Sequence, residues 1–238
     1  MDDRTNALRR YFDQQAELFP EDYYIPPEQQ VRQEVGETNS PGYSPETPPS
    51  KPLQSDDLTA YDQQIQHCMR CPLGETRTNF VFGVGSEDAD LMFIGEAPGK
   101  QEDAQGEPFV GRAGQLLDKI LAAIDLKRED VFIANVLKCR PPNNRDPKPG
   151  EIAACEPYLV EQIKMINPKA IIALGRISAN TLLKESMALK NMRGKTWNYH
   201  GTDLVVTYHP AALLRNPGLK RPTWEDFQHI QKKYLETS

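Results

Sequence analysis

Short apolar runs of strand length, separated by amphipathic helical patterns, constrain the fold of this chain more than any other feature. The apolar runs span residues 91–94, 131–136, 170–174 and 204–208. The helical patterns span residues 113–124, 151–166, 177–183 and 223–235. Such alternation is typical of a parallel sheet with helices on both faces. We therefore predict a three-layer α/β/α fold with a central, mainly parallel four-stranded sheet.

The segments that follow the predicted strands are the candidate ligand site, because ligands of such sheets bind at the carboxyl ends of the strands. These segments are GEAPG (95–99), residues 135–140, GRIS (175–178) and YHPAALLRNP (208–217). The first resembles a phosphate-binding loop in position, but it has no lysine-serine/threonine ending and its carboxylates would repel phosphate. The chain has neither G-x-G-x-x-G after a strand nor G-x-x-x-x-G-K-[ST], so we predict no nucleotide cofactor.

Charge and proline content divide the chain near residue 57. The net charge is −6, but residues 1–60 hold 5 basic and 12 acidic side chains, whereas the remainder holds 23 and 22. Residues 20–57 contain eight prolines, and such a segment buries too little apolar surface to fold. We predict a disordered, acidic, proline-rich extension over 1–57 and a folded domain over 58–238 whose near-neutral charge leaves room for a basic patch.

Residues 5–19 have apolar side chains at roughly helical spacing, which suggests a short helix in the extension. It is either a solvated, partly helical tail or a docking helix for an unknown protein partner. The chain has no run of about 20 apolar residues and no secretory pattern at its start. We therefore expect no membrane partner and a cytoplasmic location.

The four cysteines are Cys68, Cys71, Cys139 and Cys155. The first two form C-x-x-C and can chelate one centre, while the wide spacing of the second pair is poor for a zinc ribbon and acceptable for a cubane iron–sulfur cluster. Four buried thiols, or a redox-active C-x-x-C pair, are the alternatives. Every cysteine of the chain belongs to the pattern, which favours a metal centre.

Residues 61–234 resemble the family 4, iron–sulfur uracil-DNA glycosylases. The matching blocks, in order, are CMRCPLGETRTNFVFGVG, GEAPGKQED, GEPFVGRAGQLL, IANVLKCRPPNNRDPKPGE and YHPAALLRNP. The resemblance implies a monomeric DNA repair enzyme that flips uracil out of single- or double-stranded DNA and hydrolyses its glycosidic bond. It also implies a structural [4Fe–4S] cluster on the four cysteines, and no magnesium requirement.

The resemblance also assigns roles to residues of the base pocket. It makes Asn135 the reader of uracil, accepting from N3–H and donating to O4. Phe109 would stack on the base, and His209 would donate to O2, where charge develops on the leaving uracil. Gly95 and Ala97 are carried over as substrate-binding positions. Considered alone, each side chain has an ordinary structural explanation.

The GEAPG loop differs from that of the family 1 enzymes, which have an aspartate at the position of Ala97 and a tyrosine at that of Gly99. Family 4 shares this departure, so other carboxylates must substitute. We take Glu96 as the candidate near the water and sugar, and Glu102 as the candidate that crowds the C5 edge of the base. Both are otherwise solvated loop carboxylates.

Leu213, Leu214 and Arg215 resemble the loop that enters the DNA helix and fills the space left by the flipped base. The same leucines would suit the start of a core helix. Arg112, Arg140, Arg145 and Lys148 are phosphate-binding or surface cations. Two other functions compete: an α/β redox or nucleotide-binding protein, and a non-catalytic iron–sulfur protein that binds uracil-containing or damaged DNA.

Overall fold

Six strands form one mixed sheet in the computed structural model, which describes residues 57–236. The strands are β1 (Val84–Gly85), β2 (Leu91–Gly95), β3 (Phe132–Asn135), β4 (Ala170–Leu174), β5 (Thr196–Tyr199) and β6 (Thr202–Thr207). Their order across the sheet is β1-β3-β2-β4-β6-β5. Our predictions for the extension concern residues that lie, apart from Asp57, outside the described part of the chain.

The four inner strands are parallel to one another, which confirms the predicted central sheet. The two edge strands, β1 and β5, are antiparallel and were not predicted. β1 has two residues, too few for any periodicity. β5 reads TWNY and buries only Tyr199, so it has no apolar run. The sheet therefore has six strands rather than four, with the predicted four at its centre.

Helices precede, connect and follow the strands. They are α1 (Leu58–Ile65), α2 (Leu73–Thr76), α3 (Lys100–Gln105), α4 (Arg112–Ala122), α5 (Pro149–Ile166), α6 (Arg176–Leu183), α7 (Leu189–Met192), α8 (Pro210–Arg215) and α9 (Lys220–Tyr234). Asp57 caps α1 by accepting from the Thr59 amide at 2.8 Å. The four predicted helices are confirmed with bounds that move by one to three residues. The last begins earlier than expected because Pro222 fits its first turn.

Alternate residues of the inner strands face two separate cores, which makes the fold three-layered. In β2, Met92 and Ile94 pack in one core, and Leu91 and Phe93 pack in the other. All five residues of this strand are buried, so a continuous apolar run is what a central parallel strand requires. No helix within residues 57–236 is long and apolar enough to cross a membrane.

Candidate active site and cysteine centre

A cavity of about 580 Å³ opens at the carboxyl edge of the parallel strands. Its lining includes residues 96–99, 135 and 141, 174–177, and 208–209, which follow β2, β3, β4 and β6. The four segments that the sequence predicted to meet therefore do meet, although they are up to about 120 residues apart in the chain. The volume is typical of a small-molecule site.

Asn135 ends β3 with its side chain buried, at 2% exposure, on the wall of the cavity. No group among residues 57–236 hydrogen-bonds to its carboxamide. A Cβ on Gly95 of the neighbouring strand would lie 2.3 Å from the Asn135 Oδ1 and 2.7 Å from the Phe109 ring, so glycine is required there. A buried amide without a partner costs free energy. This amide is therefore arranged for a ligand rather than for the fold.

Phe109 contributes an aromatic wall to the same cavity. Its ring is 6% exposed, and the ring centroid lies 5.4 Å from that of His209. Its backbone φ is +54°, a left-handed conformation that is rare for a bulky residue and costs on the order of 1–3 kcal/mol. The ring is thus held in place at the expense of local backbone strain.

Glu102 lies on α3 and lines the cavity. Its Oε1 accepts from the amides of Val110 and Gly111 at 3.1 and 2.9 Å. This oxygen is therefore engaged with the loop that carries Phe109. The sequence suggested that Glu102 crowds the C5 edge of a base. This stays a prediction, and the oxygen available for it is Oε2.

His209 is both a cavity residue and the N-cap of α8. Its Nδ1 accepts from the Ala211 amide at 3.1 Å, which places the ring proton on Nε2. Burial lowers the pKa of His209 to about 4; nearby Arg215 adds to this effect, and Glu102 opposes it. At neutral pH the side chain is therefore an uncharged imidazole with one N–H donor left for the cavity.

Glu96 follows β2 and lines the cavity beside Ala97. Burial raises the pKa of its carboxyl to about 7, Asp146 raises it further, and Arg176 opposes both. A carboxyl with such a pKa changes its charge near neutral pH.

The three residues proposed to enter DNA differ in exposure. Leu213 is 1% exposed and packs in the core with Phe227, which is the core-helix alternative that the sequence left open for this leucine. Leu214 is 38% exposed, and Arg215 is exposed at the end of α8. The pair of leucines spans one buried and one exposed position because α8 buries one face in the core beside α4.

The four cysteines lie on one side of the sheet, in a single core cluster, and all are free thiols. Cys68 and Cys71 lie between α1 and α2, Cys139 follows β3, and Cys155 lies in α5. Burial raises the pKa of Cys139, and both Cys68 and Cys71 raise it further, so the pairs are close enough to interact. Burial likewise raises the pKa of Cys155 to about 12.

Three of the four sulfurs accept a hydrogen bond at 3.2 Å. Tyr158 Oη donates to Cys68, Arg77 Nη1 donates to Cys139, and the Lys138 amide donates to Cys155. Burial raises the pKa of Cys71, and the nearby amides of Leu73 and Gly74 oppose this effect. Such donors favour negatively charged sulfur. Within residues 57–236, no group of three or more His, Cys, Asp or Glu side chains converges on one ion.

Comparison with known proteins identifies the family. The model of the uracil DNA glycosylase superfamily matches residues 82–228. The chain belongs to this superfamily.

The curated relatives described here are type-4 uracil-DNA glycosylases. A type-4 uracil-DNA glycosylase of Archaeoglobus fulgidus is 46% identical over 176 residues, which cover 71% of this chain and 88% of that protein. A type-4 enzyme of Saccharolobus solfataricus is 48% identical over 186 residues, covering 74% and 86%. One of Thermotoga maritima is 44% identical over 170 residues, covering 70% and 88%. Within the superfamily, the chain is thus similar to the type-4 enzymes.

The sequence did not reveal three residues that shape this site. Asp146 and Arg176 act on the pKa of Glu96, and Arg128 hydrogen-bonds to the Phe109 carbonyl. The position of Arg176 directly after β4 is a signal that could have identified it. Arg128 precedes its strand by several residues and gives no such signal.

Proposed function

We propose that this chain is a monofunctional uracil-DNA glycosylase, which flips uracil out of DNA and hydrolyses its N-glycosidic bond to leave an abasic site. This is the first step of base excision repair. Membership of the superfamily and similarity to type-4 enzymes support the proposal. The observation that carries it is the buried, unpartnered amide of Asn135 in the cavity.

Recognition of the base follows from the hydrogen-bonding capacity of that amide. Its oxygen accepts from uracil N3–H, and its nitrogen donates to O4. The ring of Phe109 offers a face on which the flipped base stacks. Because the amide is buried, a base that does not match it leaves polar groups unpaired, and such a site discriminates strongly.

Cleavage of the bond leaves negative charge on uracil and positive charge on the deoxyribose. The neutral imidazole of His209 donates its Nε2–H to uracil O2 and stabilises the leaving anion. Ionised Glu96 stabilises the positive sugar and orients the attacking water. This assignment needs no magnesium ion, because both charges are matched by side chains of the chain itself.

Access to the base requires local disruption of duplex DNA. Leu214 and Arg215 are exposed on α8, the helix that follows His209 in the chain. We propose that they fill the space left by the base. Arg145 and Arg176 line the cavity and are proposed to contact backbone phosphates. A single strand needs no such wedge, so the enzyme is expected to act on both substrates.

The cysteine centre is proposed to hold a [4Fe–4S] cluster. Four thiols are the donor set that such clusters take, and three of them already accept a hydrogen bond suited to thiolate sulfur. The cluster would supply a cross-link between distant segments and takes no part in the cleavage. Purified protein should be brown, and elemental analysis showing zinc without iron would contradict the assignment.

The activity is tested with a labelled oligonucleotide that contains one uracil. After incubation with the protein, alkali should cleave the strand at the uracil, while a matched thymine oligonucleotide stays intact. Asn135→Ala is the control for contaminating enzymes. Specific binding of the uracil strand without cleavage would identify a non-catalytic DNA-binding protein instead.

The composition of the chain supports three further proposals. Residues 1–57 form an acidic extension outside the catalytic domain, which docks a protein partner if its helical pattern has a function. The catalytic domain is proposed to work as a monomer, as the resemblance to the family 4 enzymes implies. The enzyme is cytoplasmic, where a DNA repair enzyme with reduced thiols belongs.

A further inference from the structure

The backbone of Phe109 needs an external restraint. A bulky residue at φ +54° is a conformational outlier, and such residues persist only where their surroundings hold them. Side chains from two neighbouring elements hydrogen-bond to the backbone of this loop. The conformation is therefore set by contacts of the loop rather than by its own sequence.

Arg128 supplies one side of the restraint. It lies in the short 3-10 turn before β3, and its side chain is one quarter exposed. Its Nη1 donates to the Phe109 carbonyl at 3.1 Å, and its Nη2 donates to the Pro108 carbonyl. The planar guanidinium thus joins two consecutive carbonyls, a geometry that a lysine ammonium does not reproduce.

Glu102 and Gly114 supply the other side. Glu102 Oε1 accepts from the amides of Val110 and Gly111, the two residues that follow Phe109. A Cβ on Gly114 would lie 1.7 Å from the Phe109 carbonyl oxygen, so only glycine lets α4 approach the loop this closely. Four consecutive residues of the loop are therefore fixed through their backbone, two by Arg128 and two by Glu102.

We propose that Arg128 is a positioning residue for uracil excision: its fork on the Pro108 and Phe109 carbonyls holds the Phe109 ring in register with the flipped base and with His209. The inference rests on the proposed function. Arg128 has no place in the cavity lining, so it acts through Phe109 and not on the substrate. Its ion pair with Asp118, at 3.2 Å, is a separate contact that is not part of the fork.

A double-mutant cycle tests this inference. Arg128→Ala and Phe109→Ala are each expected to slow single-turnover excision by roughly 10- to 100-fold, because small displacements of a positioning group are costly. The double variant should be no more than about threefold slower than Phe109→Ala, since residues that act as a unit are not additive. Free uracil should compete more weakly with both single variants, while affinity for uracil-free DNA stays the same.

Three further variants separate positioning from general stability. Lys127→Ala removes a neighbouring charge from the same turn and should excise at the wild-type rate. Asp118→Asn keeps both carbonyl contacts and should cost less than about threefold, as expected for a partly exposed ion pair. Arg128→Lys retains the charge without the fork and should fall between wild type and Arg128→Ala; it replaces Arg128→Ala in the cycle if that variant does not fold.

The outcomes separate the positioning role of Arg128 from the proposed glycosylase function. Multiplicative losses in the double variant, or an Asp118→Asn variant as slow as Arg128→Ala, would overturn the positioning role while leaving the glycosylase assignment intact. A wild-type protein that excises no uracil would overturn the proposed function itself.

Discussion

The cavity and the cysteine centre differ in how their buried polar atoms are partnered. In the cysteine centre, three of the four sulfurs accept a hydrogen bond from the protein. In the cavity, the amide of Asn135 has no partner among the described residues, and burial raises the pKa of Glu96 and lowers that of His209. The cavity groups are thus placed at a cost in stability that only a ligand offsets.

Strand β3 connects the two regions. Its last residue, Asn135, faces the cavity, and Cys139 follows only four residues later in the cysteine centre. Between Cys139 and Cys155 the chain returns to the cavity, where Asn144 and Arg145 contribute to the lining. The cysteine centre therefore holds the chain on both sides of a segment that lines the cavity.

The largest expected effect concerns the cysteine centre. Cys139→Ser should lower the free energy of unfolding by about 4 kcal/mol if the proposed cluster is bound, because loss of a metal site is among the most destabilising changes. Thermal unfolding and iron content measure this. A Cys139→Ser protein that keeps the wild-type melting temperature and iron content would show that the two regions do not differ as described.

Changes at Asn135 should slow excision and leave the stability of the fold nearly unchanged. Asn135→Ala should excise uracil at least about tenfold more slowly in single turnover, equivalent to roughly 1.4 kcal/mol of transition-state stabilisation. Asn135→Asp should be slower still, since a carboxylate repels the uracil anion and cannot donate to O4. Neither change should lower the melting temperature by more than a few degrees, because the amide stabilises no protein group. Wild-type excision by Asn135→Ala would show that the pocket is wrongly placed.

The pH dependence of excision should follow Glu96. If its ionised form is required, the rate falls about tenfold for each pH unit below pH 7. Glu96→Gln should be slower and nearly independent of pH from 5 to 9, because His209 stays neutral down to about pH 4. A wild-type rate that is flat between pH 5 and 8 would exclude this role for Glu96.

The same carboxyl makes a prediction for stability. Its pKa is 4.5 when exposed and about 7 in the folded protein, so folding favours the protonated form. The stabilisation by the protonated group is complete below pH 4.5 and is lost as the pH rises through 7. Glu96→Gln should therefore raise the melting temperature relative to wild type more at pH 8 than at pH 5. An equal shift at both pH values would contradict the burial of this charge.

The smallest effect is expected from the extension. A protein that begins at Asp57 should excise uracil from short oligonucleotides within about threefold of the full chain, and the loss of acidic charge should slightly tighten DNA binding at low salt. The matched control begins at Leu58. It lacks the cap of α1 and should lose about 1 kcal/mol of stability. Loss of most activity in the first protein would make the extension part of the enzyme.

The sequence predicted the inner sheet and the meeting of its four loops because these depend on patterns that one strand or helix displays alone. The run at 91–94 reads as a buried strand without knowledge of its neighbours, and the position of Asn135 at a strand end follows directly. The four cysteines were recognisable for a similar reason, since their spacing is itself the signal.

Other features depend on contacts between distant residues and were not predictable. Glu102 has a clear partner only once α3 is packed beside the loop at Val110 and Gly111. The burial of Leu213 and exposure of Leu214 depend on the rotation of α8, which the motif does not specify. The residue types around Phe109 do not predict its positive φ.

The parallel order of the sheet has a consequence for synthesis on the ribosome. Cys155 is the last of the four cysteines, whereas the part of the cavity lining that follows β6, His209 included, is made later. The last cysteine precedes His209 by 54 positions (209 − 155), so the ligands of the proposed cluster are synthesised before the cavity is complete. A truncated chain that ends before β6 lacks this part of the cavity. We therefore expect such chains to excise no uracil.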